Sequence, residues 1–310
     1  MRRESCAKRE RCEARTRRER KRAAKVNRAS GLPVSGATAT IGLLVGDNMP
    51  FVRKLSHFVA LSAEEIAILN ELQSDRLVVR RHREIITEGR TYDCLYILVQ
   101  GYAIRCQILR NGNRQVLNVV LPGDIIGFPV TFFERAQYTV TALTEAELSP
   151  IPHASLITLT KHHPRLAAKV FWSFAIEAAM YVDHLTNVGR RSAVERVAHF
   201  LLEMLMRLQV IGLADENSFQ LLLTQEQISD AVGLSAPHLN RTLRELRADN
   251  LLDLQDRRLI IKDIEAVRSL AGFQGYHFKR LHLPEPARAT NGEARPDLAA
   301  LFATAEVDQH

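Results

Sequence analysis

The stretch TQEQISDAVGLSAPHLNRTLREL, Thr224 to Leu246, decides the reading of this chain. Thr224 is an N-cap residue with Gln227 three positions on, so a first helix is predicted over Gln225 to Val232. Gly233 ends it. Ser235 is placed to cap a second helix, in whose first turn Pro237 loses no hydrogen bond. Leu239, Leu243 and Leu246 recur at helical spacing on one face of that helix, and Ile228 and Val232 supply the facing stripe. Ser229 is small enough for two short helices to cross closely, and the turn Gly233-Leu234-Ser235 suits a helix-turn-helix. A bare motif of this kind also describes a helical hairpin in an unrelated domain. The residues C-terminal to it argue otherwise: Leu251 to Gln255, the pair Asp256-Arg257 and Arg258 to Lys262 read as a two-stranded hairpin with a basic tip, which makes the unit a winged helix.

The N-terminal turns of a recognition helix enter the major groove. The expected DNA contacts are therefore Ala236, Pro237, His238, Asn240 and Arg241, with Thr224, Gln225 and Ser235 at the helix starts, Arg244 one turn on and Arg257 on the wing. Arg241 is the best base reader among them, because its planar fork matches the two acceptors on the major-groove edge of guanine.

Outward from this unit, 310 residues with 46% apolar content suffice for two domains with real cores. No run of 18 apolar residues occurs and the N-terminus lacks an apolar core segment, so neither membrane insertion nor secretion is supported and a cytoplasmic protein is expected. Cys6, Cys12, Cys94 and Cys106 form no CxxC pair and no metal-ligand spacing, and Cys94 and Cys106 read as small strand residues. The basicity is local. Residues 1–28 hold 13 Lys or Arg against 4 Glu, a charge of +9, and since the whole chain is +7 the remainder carries about −2. Such an arm can grip phosphates. The competing reading makes it a disordered segment, or an extension ahead of a start at Met49, since Ser30 to Asn48 is a small-residue linker without periodic pattern.

From Met49 the chain becomes orderly. Ser62 and Glu65 bracket the start of a short amphipathic helix with Ile66, Leu69 and Leu72 on one face. The runs LVVRR, REIIT, CLYILVQ, YAIRCQIL, RQVLNVVL, DIIGF, YTVTAL and AELSPI then fill Leu77 to Pro152, and many short strands at this spacing make a sandwich or roll. Asn111-Gly112 is the clearest hairpin turn. A long helix starts near Pro164, with His162-His163-Pro164 marking its beginning. On it Ala167, Phe171, Phe174, Ala178, Tyr181, Leu185 and Val188 recur at alternating spacings of four and three. Such a heptad seam implies a partner helix, most simply its own copy; the rival is a helix packed only on its own β-domain. A break at Gly189-Arg190-Arg191 leads to a further helix, Ser192 to Leu208, with Val194, Val197, Leu201, Leu205 and Leu208 inward.

A β-roll, a dimerisation helix and a winged helix, in that order over roughly Met49 to Phe273, resemble the Crp/Fnr family of bacterial transcription regulators. The most specific stretches are LPGDIIG (Leu121 to Gly127), HPRLAAKVFW (His163 to Trp172), GRRSAVERVAHFLLEM (Gly189 to Met204) and Leu223 to Leu252. They look most like an alphaproteobacterial subgroup whose recognition helix carries the pattern found at His238, Asn240 and Arg241. The resemblance implies an α+β chain: 49–162 a double-stranded β-helix (jelly-roll) sensor of the cyclic-nucleotide-binding type, 163–189 the dimerisation helix and 190–275 the winged helix-turn-helix; by composition, residues 1–48 read as a basic disordered arm and linker and 276–310, with Pro284, Pro286, Gly292 and Pro296, as a disordered tail. The resemblance also implies double-stranded DNA with an inverted-repeat operator, a homodimer and RNA polymerase as partners.

The ligand does not carry over. Family members that bind cyclic AMP hold the ribose with a Glu just after the Gly that corresponds to Gly127, and the phosphate with an Arg eleven residues after that Gly, followed by Ser or Thr. Here Phe128 and Tyr138 stand at those positions, followed by Thr139, so together with Gly123 they outline a degenerate pocket without a charge partner for a cyclic phosphate. Cys6 and Cys12 keep too little of the cysteine cluster of the oxygen-sensing branch. His57, His82, His153, His162, His163 and His199 are scattered without ligand spacing, and no P-loop, nucleophile elbow or paired catalytic carboxylates occur in convincing context. No cofactor and no enzymatic activity are expected, and the effector is unassigned. The alternative classes are a cupin-like enzyme with a vestigial helical tail, which a gel shift separates, and a non-specific binder acting through the arm, which deletion of residues 1–48 separates.

Overall fold

The computed structural model describes residues 49–273 and Gly275. The basic arm and the C-terminal tail read from the sequence lie outside the described residues. Helix α1 (Pro50–Phe58) and helix α2 (Ala63–Leu72) come first. The expected capping box on α2 is present: the Glu65 amide donates to Ser62 Oγ and the Ser62 amide to the Glu65 carboxylate, which satisfies two N–H groups that a helix start leaves unpaired. Leu69 is buried there, while Ile66 and Leu72 are partly buried.

Eight strands follow: β1 (Leu77–Val79), β2 (Glu84–Ile86), β3 (Cys94–Gln100), β4 (Ala103–Ile108), β5 (Arg114–Val120), β6 (Ile125–Ile126), β7 (Thr139–Ala142) and β8 (Ala146–Pro152). They form two antiparallel four-stranded sheets, ordered β1-β8-β3-β6 and β2-β7-β4-β5. Leu98, Ile126 and Leu148 from the first meet Ile86, Val120 and Val140 from the second in one buried cluster. Each expected run supplies a strand, and the β4–β5 turn falls at Asn111-Gly112, where Gly112 has φ +84° and the Asn113 amide donates to Asn111 Oδ1.

Helix α3 (His153–His162) is an addition to the sequence reading, which began helical structure at Pro164. Only His163 parts it from the long helix α4 (Pro164–Arg190). Helix α4 runs through Gly189, so the expected three-residue break shrinks to Arg191, and α5 (Ala193–Val210) starts on a second capping box, Ser192 with Glu195. Then come β9 (Ser218–Gln220), α6 (Gln225–Val232), α7 (Ala236–Ala248), β10 (Leu252–Gln255), β11 (Arg258–Ile261) and α8 (Ile264–Ala271). The wing is a three-stranded sheet, β10-β11-β9, rather than the two-stranded hairpin expected. The third strand is only three residues long, too short for a periodic signal.

Strand β4 joins the two halves by simple alternation. Tyr102, Ile104 and Cys106 point outward and share one buried cluster with Leu201, Leu205 and Ile228 of the helical part, while Ala103 faces the roll interior. Hydrogen bonds reinforce the joint. Arg114 on β5 pairs with Asp230 on α6 at 2.6 Å, and Gln115 donates to the Asp230 carbonyl.

Helix α4 separates two apolar stripes. Leu166, Val170, Ile176 and Met180 are buried against the chain itself. Of the expected seam, Phe171, Ala178 and Leu185 are exposed, whereas Ala167, Phe174, Tyr181 and Val188 are half-buried on their own chain. The outermost apolar stripe is Phe171, Ala175, Ala178, Val182 and Leu185, still at spacings of four and three. Phe171, Val182 and Leu185 are 65%, 67% and 70% exposed. Ala175 and Val182 were absent from the sequence reading because an apolar arc this wide fits more than one heptad register.

Candidate functional site

The two short helices lie where the sequence put them. The Thr224 side chain accepts from the Gln227 amide and the Gln227 side chain from the Thr224 amide, and Gly233 closes α6 in the left-handed region at φ +66°, which a residue with a Cβ adopts only at a cost. Ser235 holds the N-cap position of α7, but its hydroxyl makes no capping bond. A cap hydroxyl accepts from the second or third helical residue; Pro237 offers no N–H, and the third, the His238 amide, is not engaged by Ser235. The Ser235 side chain is left exposed.

Leu239, Thr242, Leu243 and Leu246 bury one face of α7. Pro237, His238, Arg241 and Arg244 are exposed on the other, with Ala236 and Asn240 half-buried at its edge. No hydrogen bond or ion pair among the described residues engages the side chains of His238, Arg241 or Arg244. Thr224 and Gln225 are exposed at the start of α6, the Thr224 hydroxyl retaining its proton to donate. On the wing, Gln255 pairs with Arg258 across the two-residue turn Asp256-Arg257, whose residues have φ +47° and +63°. Two positive φ values match the twist of a two-residue hairpin, yet for residues with side chains they cost of order 1 kcal/mol or more each. The Leu221 amide donates to the Arg257 carbonyl at 2.7 Å and holds the tip in place. The ten residues expected at DNA thus fall on the starts of α6 and α7, the outer side of α7 and the tip of the wing.

The interior of the roll is built differently. Gly123 and Gly127 have φ +88° and +102°, and a Cβ at Gly123 would run into the Pro50 backbone, so the chain there takes a path that favours glycine. Side chains of the protein contact one another there. The Phe128 ring stacks on Phe174 of α4 with centroids 3.9 Å apart, and the Tyr138 hydroxyl donates to the Phe128 carbonyl at 2.9 Å. Thr139 is buried and its Oγ1 accepts from the Glu88 amide.

Beside them lies Arg105 of β4, 2% exposed, at an irregularity of the β4–β5 register. The extra residue there, Leu117, lies on β5, so β4 keeps its alternation and sends Arg105 to the side opposite Ile104 and Cys106. The Arg105 guanidinium sits 4.8 Å from the centre of the Tyr138 ring and 5.6 Å from that of Tyr181, donates to the Ile125 carbonyl, and pairs with Glu177 of α4 at 2.5 Å. The Tyr181 hydroxyl donates to the same Glu177 oxygen at 3.1 Å, while Arg105 Nε has no partner. Burial pushes the Tyr138 hydroxyl above its ordinary pKa, with Arg105 opposing that rise and Glu177 adding to it. Sequence reading missed this cluster. Arg105 and Glu177 are 72 residues apart, and nothing local ties one to the other.

Two further polar joints link α4 and α5 to the rest. Asp183 of α4 accepts from His199 at 2.8 Å and from Arg191 at 3.1 Å, across the bend at Arg191. Asp124 is buried between Lys54 of α1 and Arg207 of α5 and accepts from the Leu121 amide. Burial works to raise the Asp124 carboxyl, but the two cations and the amide hold it below its ordinary value.

Comparison with known proteins gives the same two parts. Residues 76–163 match the cyclic nucleotide-binding domain model, and residues 195–270 match the Crp-like helix-turn-helix domain model. The nitrogen fixation regulation protein FixK of Rhizobium meliloti is 30% identical over 189 residues, 61% of this chain and 83% of that protein. FixK of Azorhizobium caulinodans is 28% identical over 194 residues, covering 62% and 77%. The solved structure of FixK2 from Bradyrhizobium japonicum superposes with a TM-score of 0.58 at 26% identity, over 63% of this chain and 96% of that one. Both domain models fall on the roll and the winged helix described above, in the order read from the sequence, and the chain belongs to the Crp/Fnr family of bacterial transcription regulators.

Proposed function

We propose that the protein acts as a homodimer on an inverted-repeat operator, with α7 in the major groove, Arg241 reading a guanine, and Thr224, Gln225, Ser235, Arg244 and Arg257 on phosphates. The observation that carries this reading is the outer face of α7, where His238, Arg241 and Arg244 are exposed and engaged by nothing else in the described chain. The exposed stripe Phe171, Ala175, Ala178, Val182 and Leu185 supports pairing of two α4 helices about a two-fold axis. Such an axis relates the two recognition helices, so half-site centres are expected roughly 10 base pairs apart, one turn of the duplex. RNA polymerase is the further partner this reading implies.

The roll does not take cyclic AMP or cyclic GMP in this reading. Phe128 and Tyr138 stand at the two anchor positions; they are hydrogen-bonded to each other, and Phe128 also stacks on Phe174 of α4. Selection of bound sites from random DNA, with and without cell extract, tests the operator and the need for a diffusible signal. An inverted repeat with a conserved guanine in each half-site is expected; a single asymmetric site, or no enrichment, overturns the proposal. Calorimetry with micromolar cyclic AMP tests the roll, with no saturable heat expected.

A further inference from the structure

Arginine is seldom fully buried unless it is paired. Removing a guanidinium from water is costly unless a counter-charge and hydrogen bonds replace the lost hydration. Arg105 meets part of that demand with one Nη1 bond to Glu177, one Nη2 bond to the Ile125 carbonyl, and the faces of Tyr138 and Tyr181. The demand is not fully met. Nε is buried and unpartnered, and the Glu177 contact uses a single carboxylate oxygen where a guanidinium fork can hold two. The Glu177 side chain remains 16% exposed, so solvent reaches part of it.

We propose that Arg105, between Tyr138 and Tyr181, forms a carboxylate-binding site inside the roll that the chain's own Glu177 occupies, and that a small free monocarboxylate can replace Glu177 there. The site selects by charge, because only an anion compensates the guanidinium. With Glu177 in place, the ligand is part of α4 and the long helix is tied to the roll without a diffusible molecule. With a free carboxylate in place, that tie is released. This consequence rests on the dimer proposed above, in which the paired α4 helices set the two recognition helices relative to one another.

The full-length protein and its Glu177→Ala variant are titrated with sodium propionate by calorimetry at constant ionic strength. Removing the tethered competitor, which acts at high effective concentration, is expected to tighten propionate binding at least about tenfold. Propionamide, the uncharged analogue, should not bind, and Glu177→Ala combined with Arg105→Met should bind neither. If Glu177→Ala proves unfolded by circular dichroism, Glu177→Gln keeps the shape and removes the charge, and the same gain in propionate binding is expected. Absence of saturable binding to the folded variant, equal binding of propionamide, or binding that survives Arg105→Met each overturns the site. None of these readouts involves DNA, so failure of the parent protein to select an operator counts against the regulator mechanism and leaves the carboxylate site standing.

Discussion

Two arginines, Arg241 on α7 and Arg105 inside the roll, show how the same side chain serves opposite ends in this molecule. Arg241 is exposed and makes no hydrogen bond or ion pair among the described residues, so its donors remain available to a partner. Arg105 is buried, and a carboxylate, a carbonyl and two aromatic faces of the same chain engage it. The difference lies in solvation: water hydrates an exposed guanidinium, so an interface can keep its donors in reserve at little cost, whereas in the interior a donor left unpaired, such as Arg105 Nε, carries a desolvation cost. In the winged helix the polar face is left open for the DNA contact proposed above, whereas Arg105 in the roll is engaged by the chain's own Glu177.

The contrast is most easily broken at Arg105. Arg105→Met leaves Glu177 without its counter-ion and is expected to lower stability to urea by about 3–5 kcal/mol, while Arg241→Met should stay within about 0.5 kcal/mol. Equal midpoints for the two variants would mean that the interior pair contributes no more than a surface contact.

The next effect concerns the outer stripe of α4. Val182→Glu places a carboxylate from each copy in the proposed seam and should weaken dimerisation at least about a hundredfold, read by sedimentation at low micromolar concentration. Phe174→Glu is a poorer test, since Phe174 stacks on Phe128 of its own chain and its loss would disturb the roll as well. A Val182→Glu protein that remains dimeric would move the interface to another face.

A smaller effect isolates recognition. Arg241→Ala should cost on the order of 1–3 kcal/mol on the preferred site and relax the preference at one base pair in each half-site. If the loss is instead uniform across sequences and accompanied by a shallower salt dependence, Arg241 contacts phosphate and the reader is His238 or Asn240.

The smallest effect is expected in acid, at the joint of α1, the roll and α5. The Asp124 carboxyl is held below its ordinary 3.8 when folded. A depressed folded value means that the stabilising contribution is whole above about pH 4 and is lost as the pH falls through the folded value. The stability gap between the parent and Asp124→Asn should therefore be constant from about pH 7 to 5 and narrow below about pH 4. A gap unchanged down to about pH 2 would show that the carboxyl's titration is not coupled to folding.

The sequence by itself determined the elements whose causes are local. A cap acts within four residues, as Thr224 with Gln227 and Ser62 with Glu65 do; a left-handed closure needs one glycine, Gly233; and alternation within a strand places Ile104 and Cys106 on one side. The order of roll, long helix and winged helix was legible for the same reason, since each part announces itself in a short stretch. Tertiary structure decided what depends on pairs distant in the chain. It settled which of two apolar stripes on α4 the chain covers and which it leaves bare, and it added β9 to the wing. It also brought Arg105 to Glu177 across 72 residues. Apolar spacing reports that a face is buried without saying against what, and an arginine in a strand does not disclose its counter-ion, because burial free energy depends on the neighbours that folding assembles.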